Sequence, residues 1–197
     1  MPNIEDSLPP TGQTLQRAFE ALASTLNQRG IRYAIIGGLA LIQHTRVRTT
    51  DDIDALLVVP QIAIPGLIEA LRDRGFDVDL ERNIRELRGG LTTIRFADVL
   101  VDLMQPLIPA HTHVLDRAID ARVLGQSVRI SSAEGLLVMK LMAMRPQDES
   151  DIRDLLAAYA GTLDLEFVRA ELETFTNADD PRRAKFEQWV HEATAGH

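Results

Sequence analysis

Among the 197 residues there is no cysteine. That absence removes disulfides, thiolate zinc sites and cysteine nucleophiles together. Positive charge is in deficit: 21 lysines and arginines stand against 29 aspartates and glutamates, a formal net charge of −8. A chain of that sign does not coat nucleic acid unspecifically, and any RNA contact needs a local basic patch. Lysine is nearly missing, with Lys140 and Lys185 the two among 21 basic residues. Arginine thus serves almost everywhere else, which draws attention to Lys140. Long apolar runs are lacking too. None approaches membrane-spanning length, and residues 1–11 are acidic and proline-containing, unlike a secretory leader. A soluble cytoplasmic protein is expected. What is present in ordinary amount is core material, 45% hydrophobic residues. That suits one domain, or a small domain with a helical appendix.

The chain is organised around residues 31–59, IRYAIIGGLALIQHTRVRTTDDIDALLVV. An apolar strand, Tyr33 to Ile36, meets Gly37-Gly38. A short apolar helix from about Leu39 and a polar loop, His44 to Thr50, lead to a second strand that opens Asp52-Ile53-Asp54. Strand side chains alternate faces, so Asp52 and Asp54 point the same way. Adjacent carboxylates repel and are costly to desolvate. They call for a cation, and oxygen-only ligands suit Mg²⁺ or Mn²⁺. The glycines let backbone N–H groups approach a phosphate, and the helix that follows adds its positive end.

This arrangement resembles the DNA polymerase β-like nucleotidyltransferase superfamily. Its signature is an apolar residue, Gly-Gly or Gly-Ser, a gap, then Asp-apolar-Asp/Glu. Here residues 39–51 fill the gap. The longer form, GGLALIQHTRVRTTDDID, looks most like the bacterial abortive-infection and toxin–antitoxin nucleotidyltransferases. Many superfamily members carry serine at the second glycine; Gly38 leaves backbone donors only. A later block, SSAEGLLVMKLMAMRPQDESDIRDLLAAY, is similar to that group's second motif, matching at Lys140, Arg145, Asp151 and Asp154. Pro146 departs from its pattern beside Arg145.

Around these blocks the sequence predicts a helix from Thr11 or Thr14 to about Arg29, with Leu15, Phe19, Leu22 and Leu26 inward and Gly30 as stop. A helix over 65–74 follows, then a short strand, Phe76 to Leu80. In that strand Asp77 and Asp79 mimic the metal pair but read as solvated edge carboxylates. Ile84 to Arg88 and Leu91 to Phe96 read as a hairpin around Gly89-Gly90. Val99 to Met104 is an apolar strand holding one carboxylate, Asp102, which needs a partner. Asp98 is a competitor at a turn. A helix is expected over His111 to Arg122, with His111 and His113 read as polar positions rather than metal ligands. Gly125 to Ile130 reads as a strand, and Ser131 with Glu134 as a capping box for a helix over Ala133 to Met144. Helices over 151–160, 164–175 and from Pro181 follow, the last with Arg182, Arg183 and Lys185 as a basic patch.

The expected fold is α+β, a mixed sheet flanked by helices with a helical C-terminal part. The expected division is a catalytic core to residue 130 and a helical region over 131–197. The resemblance implies Mg²⁺ or Mn²⁺ held by Asp52, Asp54 and Asp102, with NTP as substrate. It implies nucleotide contacts from Gly37, Gly38, Thr50, Lys140 and Asp151. It further implies transfer of a nucleotidyl group to a tRNA 3′ end, with a separately encoded antitoxin as partner. A protein or antibiotic acceptor, and a non-catalytic nucleotide-binding or interaction module of the same fold, stay open. Arg46, Arg48, Arg85, Arg88 and Arg95 are candidates for a local RNA groove.

Overall fold

The computed structural model describes residues 12–45 and 50–195. The tail over residues 1–11, the Thr11 cap, Arg46 and Arg48 lie outside the described residues. In chain order the elements are α1 (Gly12–Gln28), β1 (Arg32–Ile36), α2 (Gly37–His44), β2 (Asp52–Val58), α3 (Ile64–Asp73), α4 (Leu80–Arg88), β3 (Leu91–Phe96) and β4 (Val99–Met104). Then come α5 (Pro109–Asp116), β5 (Ile119–Val123), β6 (Gln126–Ile130), α6 (Ala133–Ala143), α7 (Pro146–Ala158), α8 (Leu165–Phe175) and α9 (Pro181–Ala195).

The six strands form one mixed sheet in the order β3-β4-β2-β1-β6-β5. The central pair, β1 and β2, is antiparallel, and each is flanked by a parallel neighbour, β6 and β4 respectively. Alternation sorts the side chains. Ile53, Ala55, Leu57, Val101, Leu103 and Ile94 are buried on one face. The guanidinium of Arg17 on α1 lies over Phe96 on that face, and Asn83 on α4 bonds the Thr92 hydroxyl there at 2.8 Å. The other face carries Asp52, Asp54, Leu100, Asp102, Leu91, Thr93 and Arg95, and much of it is exposed.

Several expected elements change. Ile84 to Arg88 is not a strand. Leu80, Ile84 and Leu87 recur at helical spacing, and the Asp79 carboxylate caps α4 by accepting the Arg82 N–H at 3.0 Å. Gly89-Gly90 therefore ends a helix. The hairpin turns instead at Ala97-Asp98, with Ala97 at φ 53°. The strand expected over Phe76 to Leu80 shrinks to a single bridge between Asp77 and Arg95. The helix expected over His111 to Arg122 stops at Asp116. From Ile119 the period is two, and β5 pairs with β6. The α6 cap is Ser132, whose Oγ accepts the Gly135 N–H at 3.1 Å, one residue beyond the expected Ser131. Helix α7 begins at Pro146, ahead of the expected 151.

Two polar clusters fasten the C-terminal helices. His44 ends α2; its Nε2 donates to the Ser131 carbonyl at 2.8 Å, so its Nδ1 accepts from the Tyr159 hydroxyl at 2.7 Å. On α6, the Lys140 ammonium donates to Asp148 Oδ1 at 3.1 Å and Asp151 Oδ2 at 2.6 Å. All three residues are buried. The second Asp148 oxygen accepts the Arg145 N–H at 2.8 Å. The chain can make this closure because Met144 adopts the left-handed region at φ 48° and turns α6 directly into α7. One cation between two carboxylates is tolerable in a dry site only when the hydrogen bonds are complete. Lys140→Met should therefore cost about 3–5 kcal/mol, read by urea unfolding. The triple change Lys140→Met, Asp148→Asn, Asp151→Asn should recover most of that loss. A single mutant as stable as the parent would contradict the clamp.

Candidate active site

The open sheet face brings the expected carboxylates together. In the parallel pairing of β2 with β4, Asp54 stands directly opposite Asp102. Asp52 lies two residues earlier on the same strand and face. Across the next ladder Thr93 is opposite Asp102 and donates its hydroxyl to Oδ1 at 2.6 Å. Three carboxylates on one face are thus set by strand register alone. Among the described residues no group of three or more histidine, cysteine, aspartate or glutamate side chains is placed so that it could hold a metal ion as it stands. The open oxygen-only set of Asp52, Asp54 and Asp102 nevertheless suits a hard divalent cation.

The glycine pair has a second role. Gly37 sits at φ 62°, and a β-carbon there would lie 1.9 Å from Asp54 Oδ2. A β-carbon on Gly38 would lie 2.4 Å from the Thr50 hydroxyl. So the glycines admit Asp54 and Thr50 onto the α2 terminus, besides leaving backbone donors for a phosphate. Thr50 Oγ1 also donates weakly to the Asp52 carbonyl at 3.4 Å.

Electrostatics follows this crowding. The Asp54 carboxyl is pushed from 3.8 up to about 6, first by burial, then by the Asp102 and Asp52 charges, against the pull of Arg145 and Lys140. Arg145 and Lys140 therefore lie within electrostatic reach of the carboxylates. Lys140 itself is held by Asp148 and Asp151, so the expected nucleotide contacts of Lys140 and Asp151 meet a pair that already forms a buried ion cluster. Arg145 is exposed at the start of α7.

The other candidates have structural partners. Asp98 lies in the β3–β4 turn, as a turn role requires. Asp77 bridges to Arg95 and Asp79 caps α4. His111 is buried and accepts the Leu107 N–H at 3.2 Å; burial holds its pKa below the usual histidine value. His113 contacts Glu171 at 2.7 Å. Arg182 is taken by Asp180, Arg183 by Thr176 and Lys185 by Glu149. Thr93 is the residue the sequence reading missed. Its signal was present, but placing the hairpin at Gly89-Gly90 concealed that it faces Asp102. Beside Thr93, an open groove of about 650 Å³ runs along β3, lined by Leu91, Arg95, Leu100, Arg82 and Glu86. Its lining includes Thr93 but none of Asp52, Asp54 and Asp102.

Residues 13–194 match the family described as nucleotidyltransferase of unknown function (DUF6036), and the chain belongs to that family. Among solved structures, the antibiotic-resistance factor ANT(2'')-Ia is similar at 17% identity and TM-score 0.53, over 92% of this chain and 100% of that one. An antigenic nucleotidyltransferase-like protein from Paracoccidioides brasiliensis gives 16% identity and TM-score 0.52, over 91% and 95%. The lincosamide antibiotic adenylyltransferase LnuA gives 15% identity and TM-score 0.51, over 75% and 98%. These likenesses are of fold. Among curated proteins none matches the chain.

Two variants check the geometry. Gly37→Ala should lower stability by about 1–3 kcal/mol through clash and a forbidden φ. Asp54→Asn should do the reverse in metal-free buffer. Because the native pKa exceeds the unfolded one, the unfolded chain loses its proton first as pH rises from 3.8 to about 6. Native stability falls across that window and stays penalised above it. The asparagine variant should thus melt roughly 2–6 °C higher than the parent at pH 8 and gain nothing near pH 3.5. An equal or lower melting point at pH 8 would contradict the crowding of Asp54.

Proposed function

We propose that the chain transfers a nucleoside monophosphate from an NTP to an acceptor hydroxyl, releasing pyrophosphate. The register of Asp54 against Asp102, with Asp52 on the same face, is the observation that carries this reading. In it Asp52, Asp54 and Asp102 hold Mg²⁺ or Mn²⁺, which when bound would neutralise the triphosphate and acidify the acceptor hydroxyl. The Gly37 and Gly38 backbones face the phosphates, and Thr50 closes over them. Thr93 fixes the Asp102 carboxylate through its hydroxyl. Arg145, exposed and within reach of Asp54, adds positive charge where negative charge gathers; Lys140 acts at longer range, from its buried cluster. The boundary near residue 130 belongs to the same proposal, with α6–α9 bracing the catalytic sheet.

For the acceptor, a small hydroxyl-bearing molecule is favoured. The groove along β3 pairs exposed Leu91 and Leu100 with Thr93 beside Asp102, which suits a compact acceptor with an apolar face. The basic patch at the start of α9 is engaged by acidic or backbone partners, and the net charge of −8 opposes RNA. ANT(2'')-Ia is an antibiotic-resistance factor and LnuA a lincosamide antibiotic adenylyltransferase. The second reading, a tRNA 3′ end with a cognate antitoxin, rests on the motif likeness to the abortive-infection group, with Arg85, Arg88 and Arg95 available at the surface.

Label transfer from each α-labelled NTP with Mg²⁺ tests both. Acceptors would be tobramycin, lincomycin, a small-molecule cell extract and total bacterial RNA. Label should appear in the small-molecule fraction and fall to background in Asp52→Ala and Asp54→Ala. Label on RNA that vanishes in those variants would shift the acceptor to tRNA. Undiminished transfer by either variant would refute the carboxylate assignment.

A further inference from the structure

The two edges of the sheet are treated differently. At β3 the outer edge is capped. Asp77 and Arg95 exchange backbone bonds at 2.7 and 3.4 Å, and the Asn83 side chain donates to the Thr93 carbonyl at 3.2 Å. At β5 no such cap is present among the described residues. The hairpin of β5 and β6 turns through Leu124 at φ 46° and Gly125 at φ 84°, a two-residue loop with both central residues left-handed. Such a turn closes on a hydrogen-bonded pair, here Val123 with Gln126. Alternation then makes Ala121 and Ile119 face β6 with their backbone groups. The N–H and C=O of Asp120 and Arg122 are directed outward, an open ladder of the kind that templates another strand.

We infer that this edge pairs with the β5 edge of a second copy of the chain, extending two six-stranded sheets into one across a two-fold axis at Ala121. The register is self-complementary. Antiparallel pairing about Ala121 sets Asp120 opposite the partner copy's Arg122, and Arg122 opposite the partner copy's Asp120. Those are the two residues whose backbone groups point outward, so each opposed pair exchanges both N–H···O bonds. Opposite charges directly across a ladder attract, whereas two like-charged positions would repel. At the axis the strands approach most closely, as non-hydrogen-bonded pairs do, and Ala121 supplies a small side chain there. On the other face Ile119, 44% exposed, stands opposite Val123 of the partner copy and loses that exposure. Asp120 keeps a long contact with Arg129 of its own chain at 3.7 Å but is 89% exposed, which leaves it available. Edge strands are often charged to prevent association; here the charges alternate in sign so that symmetry matches them. Five residues make a small interface, so a reversible dimer of roughly micromolar strength is expected.

Sedimentation velocity of the full chain, from about 1 to 200 μM, reads the outcome. The parent should shift from monomer to dimer with concentration. Asp120→Arg and Arg122→Asp each place like charges opposite one another and should weaken association about tenfold or more. The double variant Asp120→Arg, Arg122→Asp restores opposite charges and should regain the dimer. Unchanged melting and label transfer in all three would keep a folding defect apart from an assembly defect. A parent that stays monomeric throughout overturns the inference. So does a dimer indifferent to both single changes, or a double variant no better than the singles.

Discussion

Asp54 against Gly37 is the contact on which the site depends. The carboxylate occupies the space a β-carbon would fill, 1.9 Å from where that atom would stand. It is held there with a second carboxylate beside it in register and a third two residues away. Without a cation the arrangement is unfavourable, and the rise of the Asp54 pKa to about 6 records this. The fold tolerates the cost because β2 is central, bonded to β1 on one side and β4 on the other. A strand so fixed cannot rotate its carboxylates apart without losing two ladders. Binding of a divalent cation and a triphosphate would relieve the strain, and that relief links the metal to stability.

The C-terminal helices serve the same arrangement from the other side. Lys140 ties α6 to α7 through Asp148 and Asp151. His44 ties the far end of α2 to Tyr159 and to the Ser131 carbonyl. Helix α2, which begins at the glycine pair, is thus braced at its end by the helices that bring Arg145 near Asp54. Lys140, expected from the motif likeness to meet the nucleotide, is a buried ammonium already bonded to Asp148 and Asp151 in the fold.

Local spacing made part of this legible in the sequence. Gly37, Gly38, Asp52 and Asp54 are read from one continuous stretch, where strand alternation is enough. Asp102 was found by a different route, as a charge inside an apolar strand that required a partner. The rest depended on pairings that local rules do not reach. Gly89-Gly90 has the composition of a hairpin turn, yet it follows a helix with its own cap and spacing. The real turn, Ala97-Asp98, needs a left-handed alanine that no propensity favours. With the turn misplaced, Thr93 could not be set opposite Asp102. Met144 is likewise a left-handed non-glycine residue, so the bend that carries Asp148 to Lys140 has no signature. In β5 the helical reading of His111 to Arg122 hid an alternation that becomes plain once the Leu124-Gly125 turn is in place.

Direct titration of Mn²⁺ in the presence of a non-hydrolysable NTP analogue tests whether the three carboxylates bind a cation. By electron paramagnetic resonance the parent should bind Mn²⁺ saturably. Asp54→Asn and Asp102→Asn should each weaken that binding by about tenfold or more. Mn²⁺ affinity unchanged in both variants would mean that the register of Asp54 with Asp102 holds no metal.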